Sequence, residues 1–143
     1  MRGREALAAF VVNPQSNSPF DLTALLLHSA SPETESAADD VDDARERSRD
    51  RLLLLLNLLS CLLRDLALLS SDGEQPGLIN ADLEETLRPA ASRYEPDLLV
   101  DALEVLDRAA TDLRRNMDPS LALEEALLQV RTLLWPVAIS HRS

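Results

Sequence analysis

Between Leu52 and Leu69 the chain is leucine at almost every position, interrupted only by Asn57, Ser60, Cys61, Arg64, Asp65 and Ala67. Leucine is a strong helix former and has no special preference for strand, so this run specifies a helix, which we place from about Asp43 to Leu69. A helix on the surface of a core needs one apolar stripe; one that is oily on more than one side must be surrounded or must meet a partner. The run is broken by Asn57 and closes at Arg64 and Asp65, short of the roughly 20 apolar residues of a membrane span. We therefore read it as a core helix and expect no membrane association.

The rest of the chain follows the same logic. Apolar residues make up 45% of it and aromatics only 3%, a balance that favours helix packed on helix over strands. Gly73 and Gln75-Pro76-Gly77 end the long helix, and Asp82 with Glu85 three residues later reads as a capping-box start to a short helix that contains Pro89. Glu95-Pro96 opens another, with Leu99, Leu103, Leu106, Ala110 and Leu113 at helical spacing and Asp101, Glu104 and Asp107 among the charges opposite. Asn116-Met117-Asp118-Pro119 forms a tight junction, with Asp118 as N-cap and Pro119 at the first helical position of a last helix that runs to about Trp135. The expectation is an all-α antiparallel bundle of about four to five helices. Residues 47–136 form the domain, residues 137–143 a tail, and residues 1–46 an acidic, partly flexible extension with a short helix from Phe20 to His28.

Composition removes several functions. With 25 acidic against 14 basic residues the net charge is −11, which repels a polyanion and argues against direct DNA or RNA binding. Every cation is Arg; without Lys there is no P-loop and no Schiff base. Cys61 is the only cysteine, so no intrachain disulfide or cysteine-built zinc site forms, in keeping with a reducing cytoplasm. His28 and His141 belong to no metal or catalytic spacing, and Asp39, Asp40, Asp42 and Asp43 lack the glycine and terminal Glu of a calcium loop. We expect no catalytic residue, no cofactor and no bound metal.

What remains is surplus apolar surface. In the long helix Leu52, Leu55, Leu56, Leu59, Leu62, Leu63 and Leu66 form one broad face, while Leu54, Cys61 and Leu68 recur every seven residues on another side. In the last helix Leu123, Ala126, Leu127, Val130 and Leu134 form the inner face, and Leu121, Leu128 and Trp135 recur at the same spacing roughly opposite. Both second lines are candidate partner interfaces, the alternative being burial on all sides within one bundle. Arg64 and Asp65 are charges inside a leucine-rich helix and need pairing or exposure; one arrangement has Arg64 reach the Asn116 to Pro119 junction.

In order and spacing, Leu62-Leu63-Arg64-Asp65-Leu66-Ala67-Leu68-Leu69, then Leu78-Ile79-Asn80-Ala81-Asp82, then Arg115-Asn116-Met117-Asp118-Pro119-Ser120-Leu121-Ala122-Leu123-Glu124 resemble the C-terminal collar domain of the delta-prime subunit of bacterial DNA polymerase III, part of the sliding-clamp loader. The likeness covers about residues 50–134. It implies a helical bundle that packs against equivalent bundles of sister subunits, gamma/tau and delta, with the second apolar lines as subunit contacts. That family carries ATPase-like modules ahead of the collar, for which residues 1–50 are too short, and neither its zinc-binding cysteines nor an arginine-finger motif is visible here. A different class of reading is a free-standing helical adaptor that homodimerises through its last helix.

Overall fold

A computed structural model describes residues 2–14, 18–30, 41–70 and 77–134. Among these there are six α-helices and no strand: α1 (Arg2–Val12), α2 (Pro19–Ala30), α3 (Val41–Ser70), α4 (Glu84–Ala91), α5 (Pro96–Arg114) and α6 (Pro119–Leu134), with a 3-10 turn at Ala81–Leu83 before α4. The all-α bundle expected from the sequence is what forms, with α1 as the helix that was not anticipated. Trp135, the tail beyond it and the acidic stretch up to Asp40 lie outside the described residues, and so does Gly73 with Gln75-Pro76.

Helix α3 is long and apolar enough to cross a membrane by length and composition. Its surroundings account for that character: Leu52, Leu55, Leu56, Leu59, Leu62, Leu63 and Leu66 are all buried against other helices of the same chain. Helix α5 lies alongside both α3 and α6, and α2 lies alongside both from the other side. The four thus close a ring in which α3 and α6 stand diagonally across the core, while α1 and α4 pack on each other and on α3.

The boundary expected at residue 46 falls inside α3, and α1 and α2 are not set apart from the rest. Leu7, Phe10, Val11, Leu22 and Leu26 belong to the same core as α3, α5 and α6. Helix α2 is capped by Ser18, whose Oγ accepts from the backbone N–H of Phe20 at 3.2 Å, with Pro19 at the first helical position. The last carbonyls of any α-helix lack partners within it. At the end of α1 they are met by side chains from the α4–α5 junction: Tyr94 Oη donates to the Val11 carbonyl at 2.7 Å and Arg93 to that of Val12 at 2.6 Å. Burial pushes the Tyr94 phenol above its ordinary pKa of 10.0, against the opposing pull of Arg93.

At the other end of α1, Arg4 pairs with Asp82 at 2.6 Å. This overturns the capping-box reading of Asp82: α4 begins after Leu83 with no side-chain cap, because the Asp82 carboxylate is turned to α1. The hydrogen bond from Arg4 holds the Asp82 pKa below its ordinary value of 3.8, so the pair contributes stability above that pH and loses it as the pH falls through the lower folded-state value. Asp82→Asn is expected to flatten the acid limb of a melting-temperature profile between about pH 5 and pH 2. An unchanged acid limb would show that the pair contributes nothing.

Two buried side-chain polar atoms lack a partner among the described residues, Arg4 Nε and Thr23 Oγ1. Thr23, on the inner side of α2, is 1% exposed and its Oγ1 makes no hydrogen bond. Replacing a buried, unsatisfied hydroxyl by a methyl of the same shape removes a desolvation cost of about 1–3 kcal/mol. Thr23→Val is therefore expected to raise the urea midpoint, whereas a lowered midpoint would mean that the hydroxyl has a partner after all.

Candidate functional site

The second apolar line of α3 points away from the core. Leu54 is 56% exposed, while Cys61 and Leu68 are half-buried, and the exposed polar side chains of Asn57 and Arg64 lie along the same side. On α6, Leu121 is 54% and Leu128 37% exposed, directly opposite the buried line of Leu123, Ala126, Leu127, Val130 and Leu134. Because α3 and α6 stand diagonally across the bundle, the two lines lie on helices that do not pack side by side. Leu54, Leu121 and Leu128 are thus the exposed positions of the two lines among the described residues. The seven-residue recurrence marked five of these positions; it did not mark Phe20, Ile79, Val100 or Met117, which are also exposed but belong to no such repeat.

Arg64 and Asp65 divide differently from the expectation. Arg64 is exposed and does not reach the Asn116 to Pro119 junction. That junction sits beside the first turns of α3, bordering a cleft with Ala44, Arg45, Ser48 and Arg49. Arg64 lies 15 residues beyond Arg49, so about 22 Å of helix separates it from the cleft. Asp65 is the buried member, at 0% exposure. Its Oδ1 accepts from the backbone N–H of Ile79 at 2.9 Å; its Oδ2 accepts from the backbone N–H of Asn80 at 2.6 Å and from Asn80 Nδ2 at 3.0 Å. A buried charge is tolerated only when satisfied in this way. Asp65 ties the chain to α3 where it turns back to begin α4.

The Asn116 to Pro119 junction is a stop and a start in four residues. Asn116 takes the left-handed conformation with φ 67°, which Asn tolerates better than most residues. The N–H of Met117 reaches the Asp112 carbonyl at 3.0 Å and that of Asn116 reaches Leu113 at 3.1 Å, closing α5 with a Schellman motif. Asp118 Oδ2 then accepts from the N–H of Leu121 at 3.0 Å and so caps α6, which starts on Pro119. This device sets the antiparallel return of α6 along α5.

Among the described residues no three His, Cys, Asp or Glu side chains stand close enough to hold a metal ion. The hollows that exist are open. The two along α5 and α6 share Val105, Arg108 and Gln129 and thus form one groove, whose wider end takes in Leu128, Leu133, Asp101 and Glu104.

Comparison with known proteins adds the family. No curated protein and no solved structure matches the chain. A family model described as "DNA polymerase III, delta subunit, C terminal" matches residues 47–132, more than half of the 143. The matched stretch takes in the buried Asp65, the turn it holds, the Asn116 to Pro119 junction and both apolar faces as far as Leu128. The description names the delta subunit, where the sequence motifs resemble delta-prime. The chain belongs to the family of C-terminal domains of the DNA polymerase III delta subunit.

Proposed function

We infer that the chain is a non-catalytic oligomerisation domain of the clamp-loader collar, of the delta-prime type, which supports sliding-clamp loading in DNA replication in the bacterial cytoplasm by holding sister subunits. The observation that carries this reading is the exposure of apolar side chains on two helices that do not pack side by side, Leu54 on α3, in line with the half-buried Cys61 and Leu68, and Leu121 and Leu128 on α6. Trp135 continues the second line in the sequence. A two-fold dimer uses one patch on both copies; two different patches on separate helices each ask for a neighbour, which is how rings are built. That favours a place between two sister subunits, gamma/tau and delta, over an adaptor that pairs with itself through α6. The net charge of −11 fits a role away from the DNA itself.

The test mixes the purified chain with the gamma and delta clamp-loader subunits of the same organism and follows co-elution on size exclusion. We expect co-elution that Leu128→Asp abolishes while the helical signal stays near wild type. A stable homodimer that ignores both subunits would replace this reading by the adaptor. If Leu128→Asp instead unfolds the chain, with a loss of several kcal/mol, the α6 line is core and not interface.

A further inference from the structure

We propose that the groove between α5 and α6 receives an amphipathic helix of about four turns from a sister subunit, with cationic side chains at the end that lies over Asp101 and Glu104. The proposal rests on the collar reading and names the partner chemistry of one of its faces. Two antiparallel helices packed side by side leave a furrow that a third helix fills with a ridge of side chains. Here the furrow runs from Asp101 to Arg115 along α5, 14 residues or about 21 Å of helix, and from Ala122 to Leu133 along α6. Its floor at the wider end is apolar, with Val105, Leu128 and Leu133 around a hollow of about 510 Å³.

Charge orients the occupant. Asp101 and Glu104 project one turn apart on the rim of the wider end, both exposed, and neither makes an ion pair among the described residues. At the narrower end the charges are mixed, since Arg115 stands with Asp112 and Glu125, and Arg108 lines both ends, one turn along α5 from Glu104. A helix carrying Arg or Lys over Asp101 and Glu104 therefore meets two carboxylates against one guanidinium in that register, and in the reverse one a narrower end whose two carboxylates are balanced by Arg108 and Arg115. Such rim charges act on encounter and register, and salt screens them.

The experiment immobilises the full chain and measures capture of the purified gamma and delta subunits at about 50 mM and about 500 mM salt, where screening differs strongly. The proteins compared are wild type, the double reversal Asp101→Arg with Glu104→Arg, Leu54→Asp on α3, and Trp135→Ala. The expected result is that the reversal weakens capture of one subunit about tenfold or more at low salt and removes most of its salt dependence. The melting temperature should stay the same, since both side chains are exposed, and Leu54→Asp should spare that same subunit. Capture that persists with unchanged affinity and salt dependence in the reversal overturns the groove proposal and leaves the collar reading standing. Absence of capture of either subunit by the wild type sinks the collar reading, and the groove proposal with it. Self-association that the reversal dissolves assigns the groove to a second copy, and a tenfold gain in capture on Trp135→Ala assigns it to the chain's own C-terminal end; either result overturns the proposal.

Discussion

Asp65→Ala is expected to destabilise the domain by about 3 kcal/mol and to lower its melting temperature by about 10 °C. The carboxylate is fully buried and accepts three hydrogen bonds from the turn at Ile79 and Asn80. Removing it strands two backbone N–H groups and the Asn80 amide where water is scarce, at about 1–3 kcal/mol for each group that stays unmet. Asp65→Asn is nearly isosteric yet is expected to recover only part of the loss, because its NH2 replaces one acceptor oxygen with a donor aimed at other donors. Circular dichroism melts of the three proteins check the order wild type, Asn, Ala. An Ala variant that melts with the wild type would show that the turn before α4 is held by something else. Since the stability of a domain is only about 5–15 kcal/mol in all, this one side chain decides a sizeable part of it.

Phe10→Ala is expected to cost about 3–5 kcal/mol, the range for removing a fully buried aromatic ring. Phe10 is 0% exposed and lies in the same core as Leu59, Leu99 and Leu127. A residue in a loosely attached N-terminal extension would instead tolerate the change to within about 0.5 kcal/mol. Urea unfolding followed at the helical band separates the two outcomes by a midpoint shift in a single cooperative transition. If the midpoint does not move, α1 is not part of the folding unit, and the carbonyls capped by Arg93 and Tyr94 are incidental contacts.

Most of the helical architecture was legible in the chain. The leucine run, the proline and glycine punctuation and the Asn116 to Pro119 stop-and-start are local signals, written within a few residues of where they act, and α3, α5 and α6 formed where those signals put them. Helix α1 was legible too in principle: Leu7, Phe10 and Val11 lie at helical spacing. Three apolar residues make a weak pattern, however, and nothing local says that Tyr94 and Arg93, more than 80 positions away, cap its last turn.

Side-chain partners across the fold were not legible, and the charged residues show why. Arg64 and Asp65 are neighbours in sequence, but they project about 100° apart around α3, so one faces water and the other the core. Sequence spacing specified that two charges interrupt the leucines; only the packing of the turn at Ile79 and Asn80 against α3 made Asp65 the structural one. Asp82 was claimed by Arg4 rather than by its own helix for the same reason.

The apolar lines divide likewise. Their existence follows from residue order, because a seven-residue recurrence returns nearly to the same side of a helix. Whether they were buried did not follow, since a central helix hides every side and a peripheral one only half. The packing of α3 and α6 around α2 and α5 decided it, leaving Leu54, Leu121 and Leu128 exposed, a relation between distant segments that no local pattern encodes.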